Sequence, residues 1–309
     1  MQWSQIKTLF ILCFFVLNVF LLVQFVNKQN KEDLDELKDQ QEATIEENLK
    51  SENIKIRPEK LPEAKEGSYI KVVQQQFSEE DISMIKGIKK QTTAVINNDF
   101  IISKLNEPFP INQDASNDEI VGLVKKELEI ISQESYVFWN WNEEMNVLVF
   151  FQEKKARPIY FNQNGMLLVF LNEKNEISFY TQSLLGEVVD KKEQVPLVKP
   201  LTAINVLYQK NSLISGEEVT AIDIGFYTRL ADPDGPQVFA PTWKVSVDGE
   251  RSYFVNAIEG YIFLNNDMEF LTNSIKAIIE KVDRIENDSV LKNYLVNMLK
   301  KRLEPTKSE

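Results

Sequence analysis

A run of apolar residues from Leu9 to Val26, broken by Asn18 and Gln24, follows a short tip that carries Trp3 and Lys7. Its length sits near the lower end of the roughly 17–25 residues that cross a hydrocarbon core as a helix. The rest of the chain is hydrophilic enough for a soluble domain, so the pattern predicts a single-pass protein with a short tip and a transmembrane helix over 1–27. A cleaved secretory signal would need a shorter apolar core and small residues at the cleavage point. Leu22 to Asn27 provides none. Cys13 lies mid-run behind Ile11 and Leu12, which argues against a lipidation signal. Lys7 and the terminal amine are nearly balanced by Lys28 and Lys31 in the positive-inside count. The short tip and large remainder then predict a cytoplasmic N-terminus and an extracytoplasmic C-terminal domain at the cell membrane.

Charge and composition remove several kinds of chemistry. The 309 residues carry 35 Lys plus Arg against 47 Asp plus Glu, a net charge of -12. Nucleic-acid phosphates demand a basic surface, so no nucleic-acid partner is expected, nor tight docking on anionic lipid. With 0 His and 1 Cys, the commonest general base and the usual transition-metal ligands are missing. No cofactor and no metal are expected. Carboxylates remain as the available catalytic groups.

Organisation follows from changes of period. Residues 28–67 form a charged juxtamembrane segment, in which Leu34, Leu37, Ile45 and Leu49 give a sparse apolar stripe. A helix as far as about Glu52 is one reading and a solvated linker the other. Pro58 and Pro62 end any helix there. The region 68–200 reads as a first α+β unit. Ser78 to Ile96 has helical spacing at Ile82, Ile85, Ile88 and Val95, and a second helix follows Ser116-Asn117-Asp118. The segments YVFWNW, NVLVFFQEK, PIYFN, MLLVFLN and EISFYTQS then predict an antiparallel meander packed on those helices. The region 201–265 repeats the order: a helix over Leu201–Lys210, then strands with a tight turn at Asp248-Gly249. Residues 266–309 read as a helical tail whose apolar stripes, Ile275 to Val282 and Leu291 to Leu299, must dock somewhere. The fold class is α+β, as two helix-plus-antiparallel-sheet units.

Candidate site residues are few. Asn18 would lie near the bilayer midplane, where an amide gains about 0.6–2 kcal/mol by pairing across helices. Lys7, Phe14, Asn18 and Leu21 fall on one helical face and are the candidate contacts to a partner helix. The plainer reading is that Asn18 bonds a backbone carbonyl. Asp232-Pro233-Asp234-Gly235-Pro236 resembles part of a calcium loop but lacks its distal glutamate, so it reads as a surface turn. Trp139 and Trp141 alternate in a strand and either line a groove or fill the core of one face. Glu217, Glu218 and Asp223 show no pairing that marks a glycosidase. No catalytic motif is present.

Two places resemble a known family. Met1 to Ile11, with Leu17-Asn18 after it, resembles the N-terminus of the YycI (WalI) regulatory proteins. Pro241-Thr242-Trp243-Lys244-Val245 and Tyr253 to Asn256-Ala257, with Gly260, resemble that family's terminal hairpin, which is also PepSY-like. The resemblance covers roughly residues 1–265, and the tail beyond runs longer than the family pattern. It implies a non-enzymatic accessory protein. Such a protein acts with the sister regulator YycH on the sensor histidine kinase YycG (WalK), through transmembrane and extracytoplasmic contacts, in cell-wall two-component signalling. The competing reading, from the hairpin alone, is an extracytoplasmic module that binds an unknown ligand or inhibits a protease. A carboxylate enzyme of the cell envelope is a third.

Overall fold

Several central segments are apolar at almost every position, which is the pattern of strands buried on both faces. Helices packed on either side of the sheet satisfy it. The computed structural model describes residues 3–29, 43–59, 61–191, 193–230, 235–285 and 289–304. The charged stretch from Asn30 to Glu42, with Leu34 and Leu37, lies outside the described residues, as do Asp232, Pro233 and Asp234 of the proposed turn.

The chain begins with helix α1 (Trp3–Gln29) and a helix α2 over residues 43–51. Strands β1 (Lys55–Ile56), β2 (Glu66–Gly67) and β3 (Ile70–Gln74) precede α3 (Glu79–Lys86), β4 (Gln91–Ile96), β5 (Phe100–Pro110) and α4 (Asn117–Glu127). Then come β6 (Tyr136–Asn142), β7 (Val147–Lys154), β8 (Arg157–Tyr160), β9 (Met166–Leu171), β10 (Glu176–Ser183), β11 (Leu185–Lys191) and β12 (Val195–Pro196). Helix α5 (Pro200–Gln209) leads into β13 (Glu218–Leu230), β14 (Gln237–Val247), β15 (Arg251–Asn256) and β16 (Ile262–Phe263). Helices α6 (Asp267–Val282) and α7 (Ser289–Arg302) close the described chain.

Among the described residues, fourteen of these strands join one sheet whose main path runs β11-β3-β14-β13-β8-β7-β9-β10-β5-β4. In its first half the alternation of side chains decides what each helix covers. Ile101, Leu148, Phe150, Leu167, Val169 and Tyr180 face α3 and α4, meeting Ile85, Ile120 and Val124. Ile102, Val147, Val149, Phe151, Leu168, Phe170 and Phe179 face the other way. They pack on Leu271, Ile275 and Ile278 of α6 and on Leu291, Leu295 and Leu299 of α7. The tail is therefore one layer of a helix–sheet–helix sandwich. In the second half, Trp243, Val245, Val247 and Val255 lie under Leu201, Ile204 and Leu207 of α5 and Ile45 and Leu49 of α2. Trp243 Nε1 donates to the Val198 carbonyl at 2.8 Å, so a wholly buried indole keeps its polar handle satisfied.

Local signals hold where chemistry is short-range. Ser78 and Ser116 each close a capping box, with Asp81 and Glu119 as the reciprocal acceptors. Asp248 and Gly249 are both left-handed, at φ 54 and 75, as a type I′ hairpin turn requires.

Two expectations need correction, the extent of the first helix of the 68–200 unit and the purely antiparallel sheet. The helix read over Ser78–Ile96 stops at Gly87, and Gln91–Ile96 is a strand paired with β5. β-branched Thr92, Thr93, Val95 and Ile96 favour the pleated edge over a helix, and the spacing of Ile88 and Val95 was coincidental. Strands β3 and β5 had not been anticipated. The sheet is also not purely antiparallel, since β8 leaves β7 and runs parallel to β13, as does β1. Through β8 the two helix-plus-sheet units share one continuous sheet. Its second half draws in α2, β1, β3 and β11, which precede 201–265 in sequence.

Candidate functional site: an exposed apolar helix and a cleft beside the terminal hairpin

Helix α1 presents its described side chains, Lys7 and Phe10 to Val23, to the exterior. Phe14 is 60% and Leu21 53% exposed, values typical of a surface residue but rare for fourteen consecutive positions this apolar. Phe10, Ile11, Phe14, Phe15 and Asn18 line a shallow notch of about 430 Å³. Of the four predicted contact residues, the notch brings Phe14 and Asn18 together. Leu21 lies a turn further along, and Lys7 lies outside the notch lining on the N-terminal side. Cys13 is a free, exposed thiol on the same helix. Among the described residues no helix is long and apolar enough to cross a membrane. The stretch Phe10–Val23 spans about 21 Å at 1.5 Å per residue, short of the roughly 30 Å core.

A second feature lies where the two halves of the sheet meet. A bulge in β6 makes Trp139 the extra residue between Phe138 and Asn140, which pair with Phe150 and Val149. It sends Trp139 into the α6–α7 side of the sheet, while Trp141 packs toward α4. The alternation that suggested one shared face is thereby broken. Trp139 is ringed by Phe151, Tyr160, Phe161 and Phe254, with centroids 5.6–6.0 Å away.

The outer side of this aromatic cluster opens into two adjoining clefts that share Trp139 and Lys244. One, of about 440 Å³, is lined by Val137, Phe138, Pro158, Tyr160, Asp223 and Ile224 among others. The other, of about 530 Å³, is bounded by Asn140, Ser252, Tyr253, Asn265 and Asp267 among others. Lys244 Nζ stands 4.6 Å from the centroid of the Trp139 ring, a cation–π contact. Trp139 Nε1 donates to Asp267 Oδ2 at 3.2 Å, and Asn265 Nδ2 donates to Asp267 Oδ1 at 2.5 Å. Burial pushes the Lys244 ammonium below the usual lysine range, and the Asp223 and Asp267 carboxylates partly restore it. Tyr227, behind the cluster, is pushed up to about 12, mainly by burial and secondarily by Asp267.

Glu217 and Glu218 do not join this group. They pair with Arg251 and with Arg57 respectively, the latter at 2.5 Å. Among the described residues no three acidic or cysteine side chains gather as metal ligands. Lys244, Asp267 and Tyr160 were not foreseen, because Trp139, Tyr160, Asp223, Lys244 and Asp267 are scattered over the sequence. Only a bulge and a strand crossover bring them together.

The family model of the YycI protein matches residues 32–258, well over half of the chain. The chain belongs to the YycI family. YycI proteins are regulatory, not catalytic, and serve the YycG/WalK two-component system. The match takes in both walls of the cleft except Asn265 and Asp267, and it begins after α1. No curated protein matches the chain. Among solved structures it is similar to the crystal structure of an uncharacterized protein from Eubacterium rectale. Identity is 14%, the TM-score 0.42, and 69% of this chain and 91% of that one are covered.

Proposed function

We propose that this YycI-family chain is a membrane-anchored accessory regulator of the YycG (WalK) sensor kinase, acting with YycH through helix and outer-domain contacts. The N-terminus is cytoplasmic in this reading and the sheet domain extracytoplasmic. The observation that carries it is α1: consecutive apolar side chains stand exposed, with an amide set in a notch between aromatic rings. In water such a surface is costly. In a bilayer it is at home, and Asn18 then gains by finding a polar partner on a neighbouring helix.

Regulation asks little more than this. A kinase poised between two states responds to any ligand that binds one better than the other, and a coupling of a few kcal/mol moves the balance by orders of magnitude. Replacing residues 1–27 with an unrelated spanning helix is expected to abolish control of the kinase while leaving the outer domain folded. Asn18→Leu is expected to weaken in-membrane crosslinking to the kinase or to YycH by about threefold to tenfold, the equivalent of ~0.6–1.4 kcal/mol. Full function with the foreign helix would move the activity wholly to the outer domain.

A further inference from the structure

Strand β6 is hydrogen-bonded along one edge. Among the described residues it pairs with β7 alone, and Val137, Phe138 and Trp139 make no other backbone hydrogen bond. An unpaired strand edge is a template for another strand, and natural edges are usually covered, charged or very short. This one has seven residues, five of them apolar, is half-buried beyond the buried Tyr136, and borders both clefts at Val137–Asn140. The opposite wall is the β13–β15 face, with Asp223, Ile224, Lys244 and Ser252.

We propose that this cleft binds an extended polypeptide segment carrying a basic side chain, added as a strand to the free edge of β6. Backbone is the ligand chemistry that matches the free N–H and C=O groups of this edge on either side of the Trp139 bulge. The Lys244 ammonium makes no hydrogen bond or ion pair among the described residues, and its contact is with the Trp139 ring. Held there, it is placed to donate to a carbonyl of the incoming strand. Asp223, directly opposite Lys244 in the β13–β14 register, is exposed, and its carboxylate makes no hydrogen bond or ion pair within 4 Å among the described residues. The cleft carries Asp223, Asp267 and Glu250 against Lys244 and Arg251, and Arg251 is already engaged by Glu217 and Asp248. The surplus is negative, which selects a lysine or arginine on the bound strand over a glutamate. This inference does not depend on the kinase reading, because it concerns the outer domain alone.

The test uses the full chain in detergent and three capped probe peptides of about six residues. One alternates valine and threonine around a central lysine, the second has glutamate in its place, and the third is the lysine peptide N-methylated along one edge. The expected result is binding of the lysine peptide with new amide-exchange protection at Val137–Asn140. N-methylation should weaken it about tenfold or more, since it removes backbone donors. The glutamate peptide should bind more weakly at low salt, and Asp223→Asn should narrow that preference. Lys244→Met should weaken the lysine peptide while the circular dichroism spectrum stays unchanged. No binding at about 1 mM, or equal affinity for the N-methylated probe, would overturn the proposal. So would a concentration-dependent dimer that protects the β6 amides without peptide, which would make a second copy of the chain the occupant.

Discussion

Gly225 shows how one missing methyl group can hold a fold's crossover together. A Cβ there would lie 2.3 Å from Tyr160 Cε2 and 2.8 Å from the Pro158 carbonyl oxygen. Both contacts come from β8, the short strand that joins the two halves of the sheet. The tyrosine ring could swing aside, but the carbonyl belongs to the backbone. Gly225→Ala is expected to cost about 1–3 kcal/mol, the usual cost of overpacking, read as a lower midpoint in urea. An unchanged midpoint would mean that β8 is free to shift. Lys244 makes the opposite case. Its folded-state value lies below that of an unfolded lysine, so the folded state binds fewer protons in the window between the two. Stability from this group therefore rises as pH climbs from the depressed value toward the ordinary lysine value, and at neutral pH the buried ammonium is a cost. Lys244→Met is expected to raise Tm at pH 7, with the gain shrinking through that alkaline window. A lower Tm at pH 7 would show that Asp223, Asp267 and the Trp139 ring more than repay the burial. A group that costs stability and holds no ion pair is a natural place to look for a binding role.

At the scale of elements, α6 and α7 change most when seen in three dimensions. They cover one face of the first half-sheet, where Ile275, Leu295 and Leu299 are wholly buried against Val147, Val149, Leu168 and Phe170. Leu295→Ala is expected to destabilise the protein by about 2–5 kcal/mol, measured by equilibrium denaturation. Truncation after Asn266 should leave an exposed apolar sheet and an aggregating product. A soluble, cooperatively folded truncation would show that the two helices are dispensable. The stripes of these helices were plain in the sequence, as were α4, α5, the hairpin turn and most central strands, because each is set by local periodicity or a cap. What covers what was not legible. Continuous apolar runs such as MLLVFL state that both faces are buried but name no partner. The cleft was hidden for the same reason. The bulge at Trp139 shifts the alternation by one residue, and the parallel pairing of β8 with β13 joins positions more than sixty residues apart. Neither leaves a local mark. Helix α3 was overextended because isoleucines and valine happened to keep a helical spacing past Gly87.

For the whole molecule, the question is whether a disturbance at α1 can reach the far side of the sheet. Helix α2 is the first described element after α1, and it is locked to the second half through Ile45 and Leu49. From there the path to the first half runs through β8, which pairs at two positions with β13 and at two with β7. So narrow a ladder leaves much of the coupling to side chains: Asn162 Nδ2 donates to Gln237 Oε1 at 2.6 Å, Gln152 bonds the Leu185 backbone, and an aromatic cluster surrounds the seam. Phe161 is the hub of that cluster. Its ring lies 5.2–5.9 Å from Phe151, Trp139, Tyr227, Phe254 and Phe270, which belong to both halves and to α6. Its backbone sits at φ 52, an unfavourable conformation for a bulky residue that survives because the surrounding contacts overdetermine it. In the native chain the halves should unfold together, with coincident transitions from probes placed in each. Phe161→Ala removes the hub at a cost of about 3 kcal/mol, and the two transitions are expected to separate. Exchange at α2 and β14 should then no longer track exchange at β7 and β9. If the transitions stay coincident, the aromatic hub is dispensable, and β8 with the Asn162–Gln237 and Gln152–Leu185 hydrogen bonds beside it carries the coupling.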